Sequence, residues 1–143
     1  MASRGCFSSP MRIFLTTGAV VAALLLTASP AVADTWNWGP VKTTDGKGKV
    51  TNGKITGDSA GLKVTGHLYD TSTDKTCTWI RFRYMTDQGK TVQKSYKNCK
   101  TGWHTVALRA GHVLSVEAQV CRGTRKGVSG KCSAYEGVWA QGG

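Results

Sequence analysis

Three histidines, His67, His104 and His112, are the side chains in this sequence that change charge nearest neutral pH. Cleaving a phosphodiester would need two of them converging on one phosphate, or one paired with Glu117 or Glu136, the only glutamates. That arrangement would make the protein a small hydrolase such as a ribonuclease. No G-x-S-x-G, no H-E-x-x-H and no pair of spaced carboxylates accompanies the histidines. Cys77, Cys99, Cys121 and Cys132 follow at spacings of 22, 22 and 11 with no C-x-x-C pair, so a zinc site is not expected. Cys6 lies in the expected leader and is discarded with it, so four cysteines remain; an even count in a small exported chain reads as two disulfides, which leaves no thiol to act as a nucleophile. Asp70-Thr71-Ser72-Thr73-Asp74 offers oxygen ligands, but it lacks the glycine and spacing of a calcium loop, and Lys75 adjoins it. It reads as a turn. No catalytic residue, metal or cofactor is expected.

The remaining chemistry is that of binding. Trp79, Arg81, Arg83 and Lys97 combine an indole with cations, so that a ring can stack while the charges hold a phosphate or carboxylate. Trp36-Asn37-Trp38 would point both indoles to one side of a strand, as a platform for a sugar or as a plug for the core. The segment 122–131 is basic and tied at its base by Cys121 and Cys132. Arg122, Arg125 and Lys126 in it could enter a trypsin-like protease, with the constraint lowering the entropy cost of binding. Its three glycines work against the fixed extended shape that such an inhibitor loop requires.

Other segments must position these residues. Arg4 and Arg12, the apolar run Ile13–Leu26 and Ala31-Val32-Ala33 form the n-region, h-region and cleavage site of a signal peptide over residues 1–33. The 14-residue run is short of the roughly 20 residues that cross a bilayer. Met11 is an alternative start. Cleavage near Ala33 predicts a secreted chain 34–143 of 143 − 33 = 110 residues, one domain without a transmembrane segment, read as a monomer. Removing the two leader arginines leaves 17 basic against 8 acidic residues, a net charge of +9. Such a field draws the protein toward anionic polymers or cell-wall glycans.

Apolar residues alternate with polar ones between turn residues, without a helical period. Strands are expected near 35–39, 47–56, 62–70, 76–86, 90–98, 103–109, 112–121 and 132–140. Seven to eight short antiparallel strands predict an all-β, two-sheet β-sandwich or small barrel with two disulfides. Asp87-Gln88-Gly89 is a three-residue hairpin loop that pairs Thr86 with Lys90, so paired numbers sum to 176. Cys77 and Cys99 share that sum and should bridge, leaving Cys121 to pair with Cys132. The same register sends Ile80, Phe82, Tyr84, Val92 and Tyr96 to the core, with Lys94 among them as a residue that snorkels at an edge. Trp79, Arg81, Arg83, Gln93, Ser95 and Lys97 take the outer face. In the later strand, Leu114, Val116, Ala118 and Val120 should point inward.

The leader ending in Ala31-Val32-Ala33, the Gly/Thr-rich strands and the late Cys121…Cys132 hairpin resemble the small secreted proteins of actinobacteria. This resemblance implies secretion and an all-β fold and carries over no functional residue. The general form is also similar to secreted inhibitors of the subtilisin-inhibitor type, although their cysteine and loop pattern is not matched here. The resulting expectation is a secreted, non-enzymatic protein that binds a polyanion or cell-surface glycan. A protease inhibitor using 122–131 and a small hydrolase are the alternatives.

Overall fold

A computed structural model describes residues 34–71 and 75–142. The expected signal peptide, and Ser72, Thr73 and Asp74 of the expected turn, lie outside these residues.

The hairpin folds as its loop requires. Cys77–Thr86 forms a strand, Thr91–Asn98 returns beside it, and Trp79↔Lys97 and Phe82↔Lys94 keep one register. Gly89 sits at φ 75°, and its N–H donates to the Thr86 carbonyl at 2.9 Å. Glycine reaches that left-handed conformation without steric cost. Cys77 and Cys99 are bonded, with sulfurs 2.04 Å apart, and Cys121 and Cys132 are bonded at 2.07 Å.

Ten strands are present among the described residues: β1 Thr35–Trp38, β2 Val41–Lys42, β3 Gly48–Asp58, β4 Gly61–Asp70, β5 Cys77–Thr86, β6 Thr91–Asn98, β7 Gly102–Gly111, β8 Val113–Gly123, β9 Val128–Gly130 and β10 Glu136–Ala140. They form two antiparallel sheets and no helix. The first runs β1-β3-β4-β7 with β2 beside β3; the second runs β10-β8-β5-β6 with β9 beside β8. Both disulfides join segments of the second sheet. The count exceeds seven or eight because the short β2 and β9 carry too few residues to show alternation.

The sheets share one core. Val50, Ile55, Val64 and Leu68 of the first sheet, and Ile80, Phe82, Val116 and Val120 of the second, are fully buried. Each contributes about 1.5–3 kcal/mol relative to exposure. Trp38 meets Phe82 edge-on across the layers, with ring centroids 5.8 Å apart. Close approach is required at Gly53, where a Cβ would lie 2.3 Å from the Trp38 ring.

Two expected positions, Leu114 and the start of the last strand, are corrected, and β3 carries a bulge that the sequence reading did not place. The register of β5 against β8 slips between Met85 and Thr86, leaving Leu114 as an extra residue that turns outward at 37% exposure; Val113 is buried instead. A second bulge at Asn52 (φ 51°) reverses the alternation of β3, so Val50 and Ile55 both face inward. The last strand begins at Glu136 and not at residue 132, because Ser133 is drawn onto β8. Its N–H donates to the Val120 carbonyl at 2.9 Å and its carbonyl accepts from Gln119 Nε2 at 2.7 Å. Lys94 is exposed on the edge strand β6, as expected of a snorkelling residue.

Candidate binding surfaces

The alternation of β5 places Trp79, Arg81 and Arg83 on the outer face of the second sheet, beside Lys97 of β6. The neighbouring chain then occupies this face. The turn after β8 lies against Trp79, whose Nε1–H donates to the Thr124 carbonyl at 3.0 Å. Lys97 Nζ donates to the Arg125 carbonyl at 2.6 Å and stands 5.1 Å from the Trp79 ring centroid. Arg83 pairs with Glu117 at 2.7 Å, and its guanidinium lies 4.1 Å from the Tyr135 ring centroid. The four residues come together, but their polar groups largely serve to hold 124–135 on the sheet. Arg81 is half-buried between them.

The two tryptophans of β1 part company. Trp36 is 44% exposed, whereas Trp38 is 7% exposed and donates its Nε1–H to the Thr65 carbonyl at 3.0 Å. Trp38 belongs to the core, so the pair forms no flat platform. The 122–131 segment is likewise not one open loop. Arg122 ends up buried at 5% exposure, and 124–127 closes as a tight turn, with Thr124 N–H on the Gly127 carbonyl at 2.8 Å. Only Arg125 and Lys126 of the proposed inhibitor residues reach the surface. The histidines do not converge. His67 opposes Thr105 on the outer side of the first sheet, His104 opposes Leu68 on the inward side at the edge strand β7, and His112 lies beyond the far end of β7.

Arg122 is the hub of a buried network that ties the layers together at one end. Its Nη1 donates to Asp70 Oδ1 at 2.6 Å and to Thr78 Oγ1 at 2.8 Å, and its Nη2 donates to Thr76 Oγ1. Its Nε lies 3.9 Å from Asp45 Oδ2. Asp70 is 0% exposed and also accepts the Thr78 backbone N–H at 3.3 Å. Asp70 was read both as the end of a strand over 62–70 and as the first residue of a turn; the structure makes it the last, inward-facing residue of β4 and buries it.

Burial raises the Asp45 pKa, but hydrogen bonds from Thr43 and the Lys47 N–H, with the charges of Arg122 and Lys131, outweigh it. The carboxyl is held below its ordinary 3.8. A lowered carboxyl stabilises the fold above its unfolded pKa, and that contribution is lost as pH falls through the folded value. Urea unfolding should therefore show stability declining below pH 3.8, and Asp45→Asn should flatten that decline while lowering stability at pH 7. An unchanged acid limb in Asp45→Asn would remove this residue from the account.

The outer face of the first sheet carries a site that the sequence reading passed over. Cross-strand pairing sets Lys49, Tyr69 and Trp103 in one row and Thr51, His67 and Thr105 in the next. Trp103 is 52% exposed, and its ring is tilted against Tyr69 with centroids 4.6 Å apart. Lys49 Nζ stands 5.2 Å from the Tyr69 centroid and 5.4 Å from that of Trp103. Lys54, Lys63 and Arg109 lie further along the same face, and among the described residues none of them, nor Lys49, has a carboxylate partner. A hollow of about 800 Å³ continues the face past Thr51 and His67 to Asn37 and Asn52. The available cue was parity: Val106 and Leu108 of β7 point inward, so Trp103 falls on the polar side with Thr105 and Arg109.

Among the described residues no cluster of His, Cys, Asp and Glu is arranged to hold a metal, and no helix is long and apolar enough to cross a membrane. The chain matches no family model, no curated protein and no solved structure.

Proposed function

We propose that this is an extracellular, non-enzymatic protein that binds an anionic glycan on the outer face of its first sheet. The observation that carries the reading is the exposed Trp103 ring, braced by Tyr69 and flanked by Lys49, on a face whose other cations lack carboxylate partners among the described residues. Tryptophan is highly buried on average, and Trp103 is half exposed. Stacking takes the face of a sugar ring, while lysines and threonines along the sheet meet its charges and hydroxyls. The two disulfides suit an oxidising compartment.

The test is binding of the purified protein to sulfated, uronic-acid and neutral glycans across a salt series, with Trp103→Ala beside it. Trp103 is on the surface, so the variant should fold. A stacked ring contributes about 1–3 kcal/mol, so the variant should bind about 5- to 150-fold more weakly to an anionic glycan. The residual binding should fall steeply with salt as counterions are displaced. Equal affinity of wild type and variant would overturn the assignment of this face.

A further inference from the structure

A second cationic feature lies at the end of the sandwich, around the Cys77–Cys99 disulfide. Two hollows of about 680 and 360 Å³ share Cys99 and Arg125 among their lining residues. Lys75 stands at the entrance to β5, Lys97 and Lys100 flank Cys99, Arg125 and Lys126 come from the turn after β8, and His104 closes the β7 side. Three separate stretches of chain thus bring cations to one cleft, and a fourth brings His104. Among the described residues none of these five Lys and Arg side chains pairs with a carboxylate. Asp70, close in sequence to Lys75, is buried beneath Arg122.

The cleft is also built. Lys97 is fixed by the Arg125 carbonyl and the Trp79 ring, the Lys126 N–H donates to Thr124 Oγ1 at 3.2 Å, and the Lys100 N–H donates to Asn98 Oδ1 at 3.0 Å. The disulfide contributes an apolar surface with little hydrogen-bonding capacity, so a ligand's polar contacts fall to the walls. Donors arriving from several directions suit an anion with three acceptor oxygens spread in space better than a planar carboxylate. His104, which lines the cleft, follows Trp103 on β7 and takes the opposite face, so the cleft lies at the Trp103 end of that strand, around its edge from the ring.

We propose that this cleft is a binding site for a sulfate or phosphate ester group borne by the glycan that stacks on Trp103. The proposal rests on the glycan reading for its carrier and on the cleft alone for the ester.

The experiment measures binding of the purified protein to a sulfated oligosaccharide, a glycan bearing phosphate monoesters, a uronic-acid polymer and single-stranded DNA. The variant is Lys100→Ala/Arg125→Ala. The control, Lys90→Ala/Lys94→Ala, removes the same charge from β6 and its hairpin loop. The cleft variant should lose at least about tenfold in affinity for an ester-bearing glycan. Its salt slope should fall by about two, one for each lost contact. The control should lose far less, and uronic-acid binding should be nearly insensitive to the cleft variant. Comparison of the sulfated and phosphate-monoester glycans identifies which ester is taken. Equal losses in the two double variants would reduce the cleft to generic charge and overturn the proposal. So would equal sensitivity of uronic-acid binding, or tighter binding of DNA than of either ester glycan. If Trp103→Ala is silent while the cleft variant responds, the carrier reading fails and the ester site stands; the reverse pattern removes the cleft alone.

Discussion

Arg122→Ala should lower the stability of the folded protein by about 3–5 kcal/mol, read as a shift of the urea midpoint at constant slope. The size follows from what is left behind. Asp70 is wholly buried, and Arg122 is the guanidinium that neutralises it at 2.6 Å. Removing one member of a buried pair strands the other charge in a medium that solvates it poorly, whereas cutting an exposed pair such as Arg83–Glu117 costs about 1 kcal/mol or less. Asp70→Ala should be comparably damaging. The double variant should lose less than the sum of the two, with a coupling of about 1–3 kcal/mol, because neither charge then remains unpaired. Additive losses, or a loss under about 1 kcal/mol for Arg122→Ala, would mean that water reaches this end of the core.

The second large effect belongs to the disulfides. Cys77→Ala/Cys99→Ala should cost about 3 kcal/mol through the freedom returned to an unfolded loop of 22 residues. Cys121→Ala/Cys132→Ala, which opens a loop of 11, should cost slightly less. The two differ more in local consequence. The first bond lines the basic cleft, so its loss should also weaken ester binding. The second closes the 122–131 segment that carries Arg125 and Lys126, but their turn is also held by the Thr124–Gly127 hydrogen bond, so its loss should weaken that binding less. Thermal unfolding and the ester-glycan assay on both variants check this. If the first variant keeps full ester affinity, the disulfide is not part of the cleft.

How much was legible depended on how far apart in sequence the interacting residues lie. The β5–β6 hairpin closes through three residues, so turn chemistry fixed its register, its buried face and the Cys77–Cys99 bond together. The all-β class followed from alternation repeated over several strands. Arg122 was misread because its partner Asp70 is 52 positions away, and a lone arginine beside a glycine looks like a loop cation. Leu114 and the second half of β3 were obscured by bulges, which break the two-residue period on which face assignment rests. Trp103 meets Tyr69 only through the β4–β7 pairing, and no local turn encodes that pairing. Trp79 and Lys97 were correctly placed on one face; what covers that face depends on the path of 124–135, which composition does not specify.

The covalent cross-links are distributed unevenly: both belong to the second sheet, while the first is joined to it by the shared core and the Arg122–Asp70 bridge. The protein is therefore built as a stapled layer and an unstapled one. On unfolding, β5 stays tied to the end of β6 and β8 to the segment before β10, whereas no cross-link holds β1, β3, β4 and β7 together. Trp103 and Tyr69 sit on the unstapled layer. A ligand held there binds only the folded form and adds its free energy to that layer. Occupancy would then set how long the protein survives a protease, since the strands a protease needs to reach are those the ligand keeps in place.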